Sequence, residues 1–193
     1  MMVKICGITN LDDALAAVEG GASALGFNFW PRSPRYVSPA SARLWIERLP
    51  ATVCKVGVFV DEDRATVGEI VRQVGLDVVQ LHGHESAADF PDGARVWKAL
   101  RMGNSFDPAS LDPYPVEAVL LDGPANGVPF DWSMAAEISK KVIIAGGLDA
   151  ANIRQAIQQA RPWGVDACSR IESAPGKKDH TRMSQFLKAA LAP

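Results

Sequence analysis

Val3-Lys4-Ile5-Cys6-Gly7-Ile8-Thr9, followed by Leu11, Ala14, Leu15 and Val18 at helical spacing, is the stretch that decides the fold. A short apolar run that ends in a glycine loop and feeds an amphipathic segment reads as one β/α unit. Working outward, the same order recurs. Apolar runs follow at Ala24-Leu25-Gly26-Phe27, Val56-Gly57-Val58-Phe59-Val60, Val78-Val79-Gln80-Leu81 and Val96-Trp97-Lys98-Ala99. Three more lie at Ala118-Val119-Leu120-Leu121, Val142-Ile143-Ile144-Ala145 and Val165-Asp166-Ala167. They are rich in valine and isoleucine and lack clean polar alternation, as parallel strands covered on both faces do.

Helical periodicity returns at Val67/Ile70/Val71/Val74, Ile153/Ala156/Ile157/Ala160 and Met183/Phe186/Leu187/Ala190. Ser38-Pro39 supplies an N-cap and a first-turn proline for a helix over 38–49, and a weaker helix is expected over 132–139. Gly20-Gly21, Gly75 and Gly164 stand where helices are expected to turn back into strands. Eight strands interleaved with helices predict a closed (β/α)8 barrel in a single domain over 1–193. An open doubly wound sheet of five or six strands would leave two units over. Typical barrels have about 250 residues, so this one must use minimal loops, with 86–89 and 105–111 as reduced elements.

The formal net charge is −2 and no basic block occurs, which argues against a nucleic-acid partner and favours a small neutral-to-anionic substrate. No apolar run approaches the roughly 20 residues of a membrane span, and no signal-like segment precedes the first strand. Three cysteines without C-x-x-C spacing point away from a disulfide framework or a zinc site. The expected setting is the reducing cytoplasm. The oligomeric state is open between monomer and homodimer.

Parallel α/β folds place ligand sites at the carboxyl ends of their strands, so the residues there are the candidates. Cys6 ends the first strand, and Lys4 on the same face favours its thiolate if it points inward; the alternative is a small buried hydrophobe. Asp122 ends the sixth strand, as an acid at the barrel mouth or as a turn residue before Gly123-Pro124. Arg35 lies in a loop stiffened by Pro31 and Pro34, suited to a carboxylate or phosphate. His82 ends the fourth strand and can shuttle a proton or make a structural hydrogen bond. Gly146-Gly147 after the seventh strand, with Asp149 as the expected N-cap of the next helix, and Ser169 with the backbone near Arg170 after the eighth, form a candidate phosphate cradle. Cys54, at the start of a strand and far from the mouth, reads as structural; Cys168, in the eighth loop, reads as a packing residue, with contact to ligand as the alternative.

Read together, these strand ends resemble phosphoribosylanthranilate isomerase, a small (β/α)8 enzyme of tryptophan biosynthesis. The resembling blocks include Lys4-Ile5-Cys6-Gly7-Ile8-Thr9, Gly26-Phe27-Asn28-Phe29, Ser33-Pro34-Arg35-Tyr36-Val37 and Gln80-Leu81-His82-Gly83. They continue through Leu120-Leu121-Asp122, Phe130-Asp131-Trp132, Ala145-Gly146-Gly147-Leu148, Val165-Asp166 and Pro175-Gly176-Lys177-Lys178-Asp179. The resemblance implies an Amadori rearrangement of N-(5-phosphoribosyl)anthranilate, with Asp122 as general acid and the Cys6 thiolate as general base. It further implies that Arg35 meets the anthranilate carboxylate, that Asp166 and His82 bind substrate, and that Gly146, Gly147, Ser169 and Arg170 hold the phosphate. The iminium formed on ring opening is its own electron sink, so no metal or organic cofactor is expected.

Two departures from the family pattern stand out. Gly123-Pro124-Ala125-Asn126-Gly127 replaces a frequent Gly-Gly-x-Gly, and Cys168-Ser169-Arg170 replaces a frequent Ser-Ser-Gly. Two other readings stay open at this point: the related aminoaldose isomerase of histidine biosynthesis, which usually works with paired aspartates, and a non-catalytic phosphate-ligand binder.

Overall fold

The structure is a computed structural model that describes residues 1–102, 111, 114–124 and 129–192. Eight parallel strands close into a barrel in sequence order: β1 (Met2–Cys6), β2 (Ala24–Asn28), β3 (Cys54–Phe59), β4 (Val78–Leu81), β5 (Val96–Arg101), β6 (Ala118–Asp122), β7 (Lys141–Ile144) and β8 (Gly164–Ala167). The first strand pairs with the last, Lys4 opposite Asp166 and Ile5 opposite Ala167. Outside lie α1 (Leu11–Glu19), α2 (Pro39–Ile46), α3 (Arg64–Val74), α4 (Ile153–Ala160) and α5 (His180–Leu191). The (β/α)8 expectation therefore holds.

Strand alternation divides the core in two. Val3, Ile5, Leu25, Phe27, Val79, Leu81, Val119, Leu121 and Ile144 face outward into the layer under the helices. Ala24, Val56, Val78, Trp97, Ala118, Leu120 and Ile143 fill the barrel interior, where the Trp97 and Trp163 rings meet edge to face at 5.8 Å. That packed plug leaves the inward side chains at the carboxyl ends of the strands lining an opening.

The economy of chain is local. Ser38 caps α2 by accepting from the Ser41 N–H, but the helix ends at Ile46, short of the expected residue 49. Residues 86–89 become one 3-10 turn, Ala87–Asp89, and the expected helix over 132–139 is the 3-10 segment Trp132–Glu137. Residues 105–110 lie outside the described residues. Gly75 caps α3, whereas Gly164 caps no helix: α4 ends at Ala160 with Arg161 as its C-cap, and Gly164 opens β8 pressed against Met2. Asp149 accepts from the Ala151 and Asn152 N–H groups in a turn ahead of α4, whose N-cap is Asn152. Among the described residues, no helix is long and apolar enough to cross a membrane.

One charged pair is part of the outer layer. Lys98 donates to Glu85 Oε2 at 2.8 Å and to the Gly83 carbonyl at 2.7 Å, and Glu85 also accepts from the Asp61 and Gly83 N–H groups. Both side chains are buried. Removing one member strands the other's charge, so Lys98→Met is expected to cost on the order of 3 kcal/mol. The check is the urea midpoint at constant slope.

Candidate active site

Cys6, Asp122 and Asp166 are the inward-facing residues near the ends of β1, β6 and β8, and the pleat aims all three at the barrel mouth. A cavity of about 370 Å³ opens there. Its lining includes Cys6, Arg35, His82, Asp122, Asp166, Gly146, Gly147, Ser169 and Arg170, so one space gathers every residue that the sequence singled out. Asn28, Gln80, Arg101 and Cys168 complete its polar wall.

At the β1 side, Lys4 is fully buried and donates to Asp166 Oδ2 at 2.9 Å. Gly26 on β2 makes room for this cluster, because a Cβ there would lie 2.8 Å from Cys6 Sγ and 3.0 Å from Lys4 Nζ. The Cys6 thiol is held well below its ordinary value, first by the hydrogen bond from Cys168 and then by the Lys4 and Lys178 ammonium groups, which together outweigh burial. Cys168 moves up in return. Burial, with the Cys6 charge beside it, pushes Asp166 up to about 7 against the pull of Lys4. Its second oxygen, Oδ1, is buried with no hydrogen-bond partner among the described residues.

Cys54, at the opposite end of β3, provides the contrast: burial pushes its thiol up to about 11. Reaction with iodoacetamide needs the thiolate, although a more acidic thiolate is less nucleophilic by a Brønsted slope of about 0.4–0.5. At pH 7 Cys6 is accordingly expected to alkylate at least about tenfold faster than Cys54. Because the fold favours the charged form of Cys6, its rate rises with pH through a midpoint below that of an ordinary thiol. Lys4→Met is expected to move that midpoint upward. Peptide mass spectrometry across a pH series measures both.

Across the mouth, His82 Nε2 lies 3.4 Å from Asp122 Oδ2, and Gln80 Nε2 lies 3.4 Å from His82 Nδ1. With the amide donating to Nδ1, Nε2 is the ring nitrogen that carries the proton, on the side of the Asp122 carboxyl. Gly146, at φ +84°, brings the seventh loop against this acid: a Cβ there would stand 2.9 Å from Asp122 Oδ1. Asn152 donates to the Gly147 carbonyl at 2.8 Å and fixes the loop from behind. Ser169 begins the 3-10 turn Ser169–Ile171 and lines the same cavity as Gly146 and Gly147.

The wall behind Arg35 was not legible as a site. After β8 the chain forms a small hairpin, β9 (Glu172–Ala174) and β10 (Lys177–Lys178). Glu172 accepts from Arg35 Nε at 2.9 Å and Nη2 at 2.6 Å, and from the fully buried Lys178 ammonium at 2.9 Å. Burial pushes Glu172 up, but these two cations outweigh it and keep its carboxyl below the usual range. The fork leaves Arg35 Nη1 directed by a fixed plane. Gly7, at φ +72°, passes between this arginine and Cys168; a Cβ would lie 2.6 Å from Arg35 Cδ and 2.9 Å from Cys168 Sγ. Cys168, expected to be packing, thus stands in the cavity wall beside Cys6.

Comparison with known proteins agrees with this geometry. The family described as N-(5'phosphoribosyl)anthranilate (PRA) isomerase matches residues 3–189. An N-(5'-phosphoribosyl)anthranilate isomerase of Solibacter usitatus (strain Ellin6076) is 52% identical over 198 aligned residues, covering 100% of this chain and 98% of its own. Among solved structures, the phosphoribosyl anthranilate isomerase of Thermotoga maritima superposes with a TM-score of 0.92 at 40% identity, over 98% of each chain. A phosphoribosyl anthranilate isomerase in complex with reduced 1-(o-carboxyphenylamino)-1-deoxyribulose 5-phosphate gives 0.89 at 40% identity, again over 98% of each. With a family match spanning nearly its whole length and a thiol and a carboxyl lining one cavity at the mouth of its barrel, the chain belongs to the N-(5'-phosphoribosyl)anthranilate isomerase family.

Proposed function

We propose that this protein converts N-(5-phosphoribosyl)anthranilate to 1-(2-carboxyphenylamino)-1-deoxyribulose 5-phosphate, with Asp122 as the acid and Cys6 as the base. The observation that supports this assignment is the shared cavity, lined by Cys6 from β1 and by Asp122 from β6, three strands away around the barrel. Protonated Asp122 gives its proton to the furanose ring oxygen, and the ring opens to an iminium. That cation acidifies the proton on C2. The Cys6 thiolate removes it, the electrons of the C–H bond form the enolamine, and tautomerisation gives the ketone.

The other residues divide the substrate among them. The phosphate rests on amides at Gly146, Gly147, Ser169 and Arg170, where the backbone is close-set and a cation adds to the field. Arg35, braced by Glu172, faces the anthranilate carboxylate. The unpartnered Asp166 Oδ1 supplies an acceptor for a hydroxyl of the opened sugar, and His82 orients Asp122. The reaction proceeds in the cytoplasm, in a monomer or homodimer. A solved relative from Thermotoga maritima is described as a dimeric phosphoribosylanthranilate isomerase in monomerised form.

The test is direct. Purified protein mixed with freshly formed phosphoribosylanthranilate should accelerate the decay of its fluorescence far beyond the spontaneous rate. Tight binding without acceleration would support a non-catalytic ligand binder instead.

A further inference from the structure

The fold places two of its three cysteines side by side at the mouth of the barrel. Strand register pairs Lys4 with Asp166 and Ile5 with Ala167, so Cys6, the last residue of β1, lies beside Cys168, the first residue after β8. Lys4, Cys6 and Asp166 face inward by alternation, and Cys168 lines the same cavity as Cys6. Neighbouring parallel strands lie about 4.8 Å apart, within the roughly 4.4–6.8 Å between Cα atoms that a disulfide spans. A Cβ on Gly7, the chain neighbour of Cys6, would lie 2.9 Å from Cys168 Sγ. Gly7 has no side chain to separate Cys168 from the space in front of Arg35.

We propose that Cys6 and Cys168 are a redox modification site: a peroxide small enough to enter the cavity converts the pair reversibly to a disulfide. The cavity admits the oxidant to Cys6, and the ammonium groups of Lys4 and Lys178 supply the electropositive setting in which a thiolate is reactive. In the first step the Cys6 thiolate attacks one peroxide oxygen. The O–O bond breaks, hydroxide leaves, and Cys6 becomes a sulfenic acid. Cys168 then attacks that sulfur, the S–OH bond breaks, and the Cys168 proton departs with the hydroxyl as water. Two electrons pass from the two thiols to the peroxide. Lys178 Nζ, 3.9 Å from Cys168 Sγ, is placed to favour the attacking form of the second thiol.

The chemistry makes the pair a shield as well as a brake. A lone base oxidised to sulfenic acid is exposed to irreversible conversion to sulfinic acid, whereas a neighbouring thiol traps it in a form that a dithiol restores. Cys54 lies at the other end of β3 and takes no part.

The experiment uses the intact protein and hydrogen peroxide, followed by thiol titration and mass spectrometry of the unreduced protein and its peptides. The expected result is loss of two of the three free thiols, loss of two hydrogens in mass, a linked pair of peptides containing Cys6 and Cys168, and full recovery of the thiols with dithiothreitol. In Cys168→Ser, the same treatment should add oxygen to Cys6 without a link, and dithiothreitol should no longer restore the oxidised thiol once the sulfinic acid has formed. Oxygen addition at Cys6 of the native protein with Cys168 still free overturns the proposal. So does a disulfide only between molecules, or an unreactive pair. None of these readouts requires turnover, so failure here is distinct from failure of the isomerase assignment.

Discussion

Cys6→Ala is expected to lower kcat toward the upper end of the ~10²–10⁴-fold range of a positioned proton-transfer group. No neighbouring group can stand in for the missing base. Cys168 lines the same cavity, but with Cys6 gone burial still pushes its thiol up, and it sits beyond the end of β8 rather than at the β1 position. Asp166 is tied to Lys4 through one oxygen and loses the adjacent thiolate, so Lys4 then holds it more tightly as an acceptor for a hydroxyl. Affinity for the reduced product analogue should change little, because a side chain removed from the β1 end leaves the phosphate cradle and the Arg35 fork in place. Single-turnover fluorescence gives the rate and calorimetric titration gives the affinity. A native rate in this variant would remove Cys6 from the mechanism.

The second large effect belongs to Asp122→Asn, expected to cost ~10²–10⁴-fold in kcat by removing the acid that opens the ring. An amide keeps the shape and still meets His82, but it has no proton of carboxylic acidity to give. The loss should be in ring opening, ahead of the carbon acid step. Cys6 reactivity toward iodoacetamide should therefore stay near native in Asp122→Asn, while turnover collapses. If both fall together, the substitution has disturbed the barrel mouth rather than the proton donor. Circular dichroism of the variant separates those cases.

The barrel was legible because its signal repeats: eight apolar runs, each ending in a loop that carries polar or glycine residues, have one economical closure. The strand-end candidates were legible for the same reason, since the pleat aims Cys6, Asp122 and Asp166 wherever their strands end. Their supports were harder to see. Glu172 and Lys178 sit on a hairpin of three and two residues, too short to leave a periodic trace, and a lysine in a polar loop reads as solvated although Lys178 is 3% exposed. Lys98, inside the apolar run Val96-Trp97-Lys98-Ala99, did carry a signal, because a charge there must find a buried partner. Gly164 misled by type: glycine suits both a helix end and a strand pressed against its neighbour, and contact with Met2 decides for the second.

The closing seam also has a consequence for biosynthesis. Lys4 and Asp166 stand 162 residues apart in the chain, yet their bond joins the first strand of the barrel to its eighth. While a ribosome is still adding β8, the nascent polypeptide carries β1 as an unzipped edge and an apolar ribbon open to other chains. Its future reaction centre is then only a thiol on one border and a carboxyl elsewhere. Translation must pass β8 before the cleft exists, which makes truncation ahead of that strand a loss of the whole cleft rather than of one wall.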